Sequence, residues 1–314
     1  MKRVVGIASL LVCCCVACWG EARAAVAAET VSLDGAQGAV TVPVAPARLV
    51  IMDYGMLDTL DAFKTAGLIS KDVQIALPKA NIPAYLSAYT SDACVDIGNL
   101  KDFNLETIFA FKPDLIITSG RQQDFFEELK AIAPVWQMNS LPSPYLEGAM
   151  RNILSMGSIF GVEEGVEQAL ANLEASAAEV RELAGAKGWK ALVLLTNDGK
   201  ISAYGSGSRF GLIYDALGLG QADASIRVGI HGQLVNYEYI AKTDPDVIFV
   251  VDRSVAVTGK ADGVRILNNE LVNGTKAARE GRIIPLDPSV WYLSGGGLTS
   301  LGLMIGEVRQ ALER

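Results

Sequence analysis

The segment NLETIFAFKPDLIITSGR, residues 104–121, has the pattern of a short helix that leads into a buried β-strand and then an arginine. The segment NYEYIAKTDPDVIFVVDR, residues 236–253, repeats this pattern, with asparagine, glutamate, proline, aspartate and arginine at matching places. In each copy a helical stretch gives way to a continuous apolar run, which is typical of a strand in a parallel sheet. Because two copies are too few for a solenoid, the repeat predicts two similar lobes that face one another.

Strands and helices alternate around both copies. Within residues 30–161, apolar strands such as DLIITS and PVWQMN are separated by helical stretches, and the alternation restarts within residues 187–314. Residues 162–186 between them are rich in alanine and glutamate, with apolar residues at helical spacing and a glycine stop, which predicts one stiff helix. The sequence therefore predicts an α/β fold with two Rossmann-like lobes joined by a single long α-helix.

Residues 1–24 have the composition of a secretory signal peptide: basic residues, an apolar run and a small-residue exit. Four of the five cysteines lie in this segment, so Cys94 is the thiol that the mature chain would keep, and no internal disulfide is expected. We predict an exported, periplasmic protein. A lipid anchor on Cys18 is the alternative.

The formal net charge is −8, which argues against nucleic acid or an anionic membrane as a partner. An anionic ligand would have to be held by a local cluster of positive charge. The chain has neither a phosphate-loop motif nor a nucleophile elbow, and it has a single histidine, so we do not expect an enzyme.

Three arginines are candidates for that cluster. Arg121 and Arg253 end the two repeated segments, and Arg209 lies in the glycine-rich turn GSGSRFG. Ligands of open parallel sheets collect beyond the carboxyl ends of the strands, so we expect these arginines to face a shared cleft. The planar guanidinium donates a fork of hydrogen bonds to anionic oxygens and keeps its charge.

Three further side chains are candidates for ligand contacts. His231 lies between glycines in VGIHGQ, and Tyr292 precedes the glycine run of WYLSGGG, which lets a ligand and the backbone approach closely. Tyr54 follows the first strand of the lobe. From the residues alone, a lone histidine is more often structural or exposed, and Trp291 and Tyr292 are also consistent with packing aromatics.

Glu106 and Glu238 occupy the same place in the two repeated segments, each two residues after an asparagine. Asparagine is a common helix N-cap, and an acid in the first turn interacts favourably with the helix dipole, so capping alone explains this pattern. We expect both glutamates to lie on helix starts away from the strand ends.

Five separated segments together resemble the substrate-binding proteins of ABC importers for ferric siderophores, haem and cobalamin, and specifically the catecholate-siderophore branch with its enterochelin-uptake and petrobactin-binding members. The segments are GNLKDFNLETIFAFKPDLIITSGRQ, GSRFGLIYDALG, VGIHGQLVNYEYI, DPDVIFVVDR and DPSVWYLSGGG. The resemblance implies the class III periplasmic binding protein fold. It also implies a monomer with no permanently bound cofactor, which takes up a ferric catecholate siderophore and delivers it to an ABC permease in the inner membrane.

The resemblance also implies roles for the candidate residues. Arg121, Arg209 and Arg253 would bind the catecholate, with a weaker contact from Tyr54. In relatives with the same HG and WYLSGGG segments the histidine and tyrosine bind iron directly, so His231 and Tyr292 would complete the iron shell of a tetradentate siderophore. A glutamate on each lobe docks on permease arginines in this family, which assigns docking to Glu106 and Glu238.

Two other functions are compatible with these residues. A haem carrier of the same class would use His231 or Tyr292 as an axial ligand, and the three arginines would pair with the propionates. An exported α/β enzyme would use GSGSRFG to hold an anionic substrate.

Overall fold

The computed structural model describes residues 29–139, 144–229, 231–259 and 263–314. The predicted signal peptide, residues 1–24, and the alternative lipid anchor on Cys18 lie outside the described residues and stay predictions. Within the described part of the chain, no helix combines the length and the apolar composition needed to cross a membrane.

The N-terminal lobe is a five-stranded parallel sheet flanked by helices and preceded by an antiparallel hairpin. Its strands are β1 (Thr30–Gly35), β2 (Gly38–Pro43), β3 (Arg48–Ile51), β4 (Gln74–Leu77), β5 (Val95–Asp96), β6 (Leu115–Thr118) and β7 (Val135–Gln137). Its helices are α1 (Tyr54–Thr65), α2 (Leu105–Phe111), α3 (Phe126–Lys130) and α4 (Tyr145–Phe160). The hairpin is β1–β2, and the sheet order is β5-β4-β3-β6-β7.

One long helix, α5 (Glu163–Lys187), leads from this lobe to the next. It begins just after Gly161 and ends before Gly188, and both glycines are in the left-handed conformation that ends helices. Its buried face consists of Val166, Leu170, Leu173, Ala177, Val180 and Ala184. This face packs against α4 and against the C-terminal helix of the chain, so the connection is part of the core.

The C-terminal lobe is a six-stranded mixed sheet. Its strands are β8 (Lys190–Asn197), β9 (Lys200–Tyr204), β10 (Gly220–Gln221), β11 (Gln233–Val235), β12 (Val247–Asp252) and β13 (Ile283–Leu286). Its helices are α6 (Tyr237–Thr243), α7 (Arg253–Thr258), α8 (Gly263–Ile266), α9 (Glu270–Asn273), α10 (Lys276–Arg279) and α11 (Leu298–Glu313). The sheet order is β11-β9-β8-β12-β13, and β10 pairs with β8.

The sheet of this lobe is not wholly parallel, because β8 and β9 form a tight hairpin. Asp198 and Gly199 make its two-residue turn with φ values of 48° and 76°. Positive φ at both turn positions matches the twist of antiparallel strands, and Asp-Gly is a favoured pair for such a turn. The strand β11 in turn runs antiparallel to β9. The predicted parallel sheet therefore describes the N-terminal lobe and the β8, β12 and β13 part of the C-terminal lobe.

The two repeated segments build the same unit in each lobe. The segments contribute α2 and β6 to one lobe and α6 and β12 to the other, and the strands pair in parallel with β3 and β8. The repeated aspartates anchor these pairings: Asp114 accepts hydrogen bonds from the amides of Ala47 and Arg48, and Asp246 accepts one from Lys190. The shared aspartate is thus explained by strand pairing.

The lobes are tied together where α1 meets the start of α11. Asp58 Oδ2 accepts a hydrogen bond of 2.7 Å from the Ser300 amide, and Thr59 Oγ1 accepts one of 3.2 Å from the Leu298 amide. Two side chains of one lobe therefore cap a helix of the other, which satisfies amides that a helix start leaves without partners. A Cβ on Gly297 would lie 2.3 Å from the Gly55 carbonyl oxygen. The close approach at Gly297 is between the two lobes, and the approach of a ligand to the glycine run stays a prediction.

Candidate ligand-binding site

Arg121 and Arg209 converge on one carbonyl group. Arg121 Nη2 and Arg209 Nη2 donate hydrogen bonds of 2.8 and 2.9 Å to the carbonyl oxygen of Tyr292. Arg121 Nη1 also lies 3.4 Å from the carbonyl oxygen of Leu293. Arg121 belongs to the N-terminal lobe and the other three residues to the C-terminal lobe, so the site spans both lobes.

Arg253 approaches the same tyrosine from its hydroxyl end. Its Nε donates a 2.7 Å hydrogen bond to Tyr292 Oη, and its Nη1 donates a 2.6 Å hydrogen bond to Asn197 Oδ1. The guanidinium carbons of Arg209, Arg253 and Arg121 lie 4.4, 5.5 and 6.0 Å from the centre of the Tyr292 ring. All three arginines and the tyrosine are half-buried.

This surrounding charge changes the acidity of Tyr292. Burial acts to raise the pKa of the phenol, but the hydrogen bond from Arg253 and the charges of Arg253, Arg209 and Arg121 together lower the pKa below its ordinary value. Burial and the neighbouring Arg121 also lower the pKa of Arg209. Among the described residues, no carboxylate forms a salt bridge with these arginines. The site therefore attracts anions.

Arg121 and Arg253 each lie just beyond the carboxyl end of a strand, β6 and β12. Arg121 lies in a 3-10 turn, Gly120–Phe125, where the Ser119 amide donates to Gln122 Oε1 and Gln122 Nε2 donates to the Leu100 carbonyl. The segment RQQDFFEELKAIA has helical spacing of apolar residues, but it forms this turn and then the short helix α3. Arg253 is the first residue of α7, directly after β12.

Arg209 is presented by a loop whose supporting residues were not predicted. Asp215 Oδ2 accepts a 3.0 Å hydrogen bond from the Gly207 amide, and its Oδ1 accepts one from the Ser206 hydroxyl. Gln221 Oε1 accepts a 2.9 Å bond from the Ser206 amide. The residues after GSGSRFG form a π-helical turn, Leu212–Ala216, and Asp215 in this turn bonds back to the loop. In the sequence, the spacing of Gly211 and Asp215, which lie one helical turn apart, was the signal for this support of the Arg209 loop.

His231 is exposed at the edge of the C-terminal sheet, just before β11. The next residue, Gly232, has φ of 67°, and a Cβ there would lie 2.7 Å from Cε2 of Tyr204. The charges of Arg209 and Arg253 act on Tyr204, so the turn lies beside the arginine cluster. Glycine is required because the backbone conformation and the Tyr204 ring both exclude a side chain.

Tyr54 has a different environment. Its ring is fully buried, and its hydroxyl lies 3.0 Å from the Pro78 carbonyl oxygen and 2.5 Å from that of Ala80. Burial raises the pKa of this phenol. In this conformation the side chain packs inside the lobe at the start of α1, and its predicted contact with a ligand stays a prediction.

Glu106 and Glu238 are exposed in the first turns of α2 and α6, which Asn104 and Asn236 cap through bonds of 2.9 Å. The expectation that they lie away from the strand ends is wrong. The Asn104 amide donates to the Ile97 carbonyl, next to the carboxyl end of β5.

In the other lobe Asn236 directly follows β11, which runs in the same direction as β8 because β9 is antiparallel to both strands. Both glutamates therefore lie at the edge of the sheets where the arginine turns also lie.

The iron donors that the resemblance implies are the Tyr292 phenol and the His231 imidazole, and their roles stay predictions. Within the part of the chain that the structure describes, no group of three or more histidine, cysteine, aspartate or glutamate side chains could hold a metal ion. The residues alone did not identify either side chain as a donor. In the structure Tyr292 lies among the arginines, and His231 lies on the neighbouring turn.

Two lobes on one helix, with a cationic site that both lobes form, define a class of binding proteins. The chain belongs to the periplasmic binding protein family, whose model matches residues 50–290. It is 41% identical over 273 residues to the petrobactin-binding protein YclQ of Bacillus subtilis, covering 87% of this chain and 84% of that protein.

Two solved structures are also similar to this chain. The crystal structure of YclQ has a TM-score of 0.85 and 38% identity, and the match covers 91% of this chain and 99% of YclQ. The periplasmic catecholate-siderophore binding protein VctP from Vibrio cholerae has a TM-score of 0.82 and 28% identity, with 90% and 100% covered. The predicted fold class, two lobes on one long helix, is confirmed.

Proposed function

We propose that this protein captures a ferric catecholate siderophore between its lobes and delivers it to an ABC permease. The observation that carries the proposal is the convergence of Arg121, Arg209 and Arg253 on Tyr292. A ferric catecholate is a compact anion whose oxygens accept the hydrogen bonds that guanidinium groups donate. The similarity to a petrobactin-binding protein supports the same ligand class.

An anionic ligand would offset the positive charge that three arginines bring to the site. Arg121 and Arg209 share one carbonyl group, Arg253 bonds to the hydroxyl of the same tyrosine, and these half-buried cations repel each other. Catecholate oxygens would replace the carbonyl oxygens as acceptors for Arg121 and Arg209. Each such charged hydrogen bond contributes about 1.5–3 kcal/mol, so removal of one arginine should weaken binding about 10- to 100-fold.

The iron itself is part of the recognition. A tetradentate siderophore fills four of the six positions on Fe(III), and a phenolate oxygen is a suitable donor for this hard ion. The arginines that lower the pKa of Tyr292 favour its ionised form before iron arrives. The imidazole of His231 would fill the last position.

Titration of ferric catecholates by quenching of tryptophan fluorescence tests this coordination. Wild type, His231→Ala, Tyr292→Phe and the double variant are compared with a tetradentate and a hexadentate ferric catecholate. We expect the variants to lose affinity for the tetradentate complex only, because the hexadentate ligand already fills the iron shell. Equal binding of both ligands by wild type and double variant would refute direct coordination.

The absorption spectrum of the loaded protein distinguishes the rival functions. A broad visible charge-transfer band is expected for a catecholate bound to iron, whereas a sharp Soret band would identify a haem carrier. Turnover of ester or phosphoester substrates that Arg209→Ala abolishes would identify an enzyme. We infer that the chain acts without covalent chemistry, as an exported periplasmic monomer.

The exposed pair Glu106 and Glu238 is proposed to dock on arginines of the permease. Both lie at the same edge of the sheets as the ligand site, so docking there would bring the open side of the cleft to the membrane protein. A double Glu106→Gln, Glu238→Gln variant should bind ferric siderophore normally but fail to support uptake by cells. Glu163→Gln with Glu164→Gln, exposed acids in the first turn of α5, is the matched control. Normal uptake with the docking variant would contradict the assignment.

A further inference from the structure

Asn197 is a half-buried side chain beside the site, and it lies outside both repeated segments and every motif that predicted a role. It is the last residue of β8, the central strand of the C-terminal lobe. Its Oδ1 accepts the 2.6 Å hydrogen bond from Arg253 Nη1, while Arg253 Nε donates to Tyr292 Oη at 2.7 Å. Arg253 thus bridges Asn197 and the phenol.

The two hydrogen bonds fix the orientation of the Arg253 guanidinium group. The guanidinium is planar, so a hydrogen bond at Nη1 and another at Nε together fix both its position and the orientation of its plane. The backbone around it is braced as well, since the Asp198 amide donates a 3.2 Å hydrogen bond to Ser254 Oγ. An amide oxygen is a neutral acceptor, so Asn197 orients Arg253 without cancelling its charge.

The hydrogen bond from Arg253 has a consequence for the phenol oxygen. Because Nε is a donor, Tyr292 Oη must accept on that side, and the phenol proton cannot point toward Arg253. The remaining lone pairs of the oxygen are then directed away from Arg253. An oxygen held in this way is prepared to donate an electron pair to a metal ion carried by an anionic ligand.

We propose that Asn197 is a positioning residue, which aims Arg253 at the Tyr292 hydroxyl and so holds the phenol oxygen ready for an iron centre that lacks donors. The inference rests on the proposed function, in which Tyr292 completes the iron shell. Asn197 then matters for a tetradentate ferric catecholate and not for a hexadentate one.

The test measures affinity for both ligand types in the full mature chain, again by fluorescence quenching. Asn197→Ala should weaken binding of the tetradentate ferric catecholate about tenfold, the value of one charged hydrogen bond, and leave the hexadentate affinity unchanged. Asn197→Leu keeps a similar side-chain volume but has no acceptor for Arg253 Nη1, so it should show the same selective loss and serves if Asn197→Ala does not fold. The visible band of the bound tetradentate complex should also shift toward that of Tyr292→Phe.

Controls separate positioning from general loosening. Ser254→Ala removes the backbone brace but keeps the Asn197–Arg253 bond, so it should retain both affinities. In the Tyr292→Phe background, Asn197→Ala should cause no further selective loss. A selective loss in that background or in Ser254→Ala, or an equal loss for both ligands in Asn197→Ala, would overturn the proposal.

The same data distinguish this proposal from the proposed function. If Tyr292→Phe alone causes no selective loss, the coordination by Tyr292 fails and the role of Asn197 fails with it. If Tyr292→Phe is selective and Asn197→Ala is not, the coordination stands and Asn197 has no positioning role.

Discussion

At the scale of single residues, the site depends on one tyrosine whose surroundings differ from those of the other tyrosines. Burial raises the pKa of seven tyrosines: Tyr54, Tyr85, Tyr89, Tyr145, Tyr204, Tyr214 and Tyr239. Tyr292 is also partly buried, yet its pKa is lowered because three guanidinium groups surround it. The cluster therefore singles out one phenol for ionisation.

An alkaline titration followed by tyrosinate absorbance near 295 nm should detect this phenol. The first phenolate to appear should be absent in Tyr292→Phe and present in Tyr239→Phe, a control whose phenol bonds to Asp223. Arg253→Ala should move this first step to higher pH. A titration of Tyr292→Phe identical to that of wild type would contradict the assignment.

The lowered pKa of Tyr292 also makes the free energy of unfolding depend on pH. Folding favours the ionised phenol, so its stabilising contribution is fully present above the ordinary tyrosine pKa and is lost as pH falls through the lowered folded pKa. Denaturant unfolding over that range should therefore show a wild-type stability that rises with pH relative to Tyr292→Phe. A wild-type stability that falls with pH relative to Tyr292→Phe would refute the lowered pKa of this phenol.

Arg209 should show a trade-off between stability and affinity. Its buried Nε has no hydrogen-bond partner, and Arg121 repels it. We expect Arg209→Met to retain or raise the melting temperature of the ligand-free protein and to weaken ferric catecholate binding about 10- to 100-fold.

The control for this trade-off is Arg282→Met. Arg282 Nε donates a 2.7 Å hydrogen bond to the Asp246 carbonyl just before β12, at the opposite end of that strand from Arg253, so its loss should cost about 1 kcal/mol of stability and leave affinity intact. A fall in stability for Arg209→Met larger than that for Arg282→Met would contradict mutual repulsion within the arginine cluster.

At the scale of elements, α11 is held by the other lobe at its first turn. Gly297 packs against the backbone of α1. A side chain would not fit there, since a Cβ would lie 2.3 Å from the Gly55 oxygen and from Asp58 Oδ2. Asp58 and Thr59 then reach the first amides of the helix. The seam between the lobes thus depends on one residue without a side chain.

Two glycine substitutions in and beside α11 test this seam. Gly297→Ala should lower stability by about 1–3 kcal/mol, as overpacking of a tight contact does. Gly306→Ala, in the middle of the same helix with open space around it, should raise stability by about 0.5–1 kcal/mol. Thermal and denaturant unfolding measure both. Equal effects of the two substitutions would show that the contact at Gly297 is not tight.

At the scale of the whole molecule, the two lobes share a continuous core through α5 and α11. A stiff helix in that core and a capped seam leave little freedom for a hinge, in contrast to lobes joined by flexible strands. We expect small-angle X-ray scattering to show no resolvable change in the radius of gyration when ferric siderophore binds. Asp58→Ala, which removes a cap of the seam, should permit a measurable change. A large closure of the wild type would contradict this architecture.

Local patterns in the sequence determined the two lobes, the long helix, the twin helix–strand units and the three arginines, because helical spacing, apolar runs and turn residues act over a few positions. The residues that support the site lie beyond the reach of such patterns. Asn197 meets Arg253 across 56 positions, and Arg121 meets the Tyr292 carbonyl across 171.

Only the tertiary structure decided which side chains share a site, because packing brings distant strand ends to one place. It buried Tyr54, placed both glutamates at the cleft edge and placed Gly297 at the seam between the lobes. The order of elements is a property of the chain, whereas the convergence of three cations on one phenol is a property of the folded molecule.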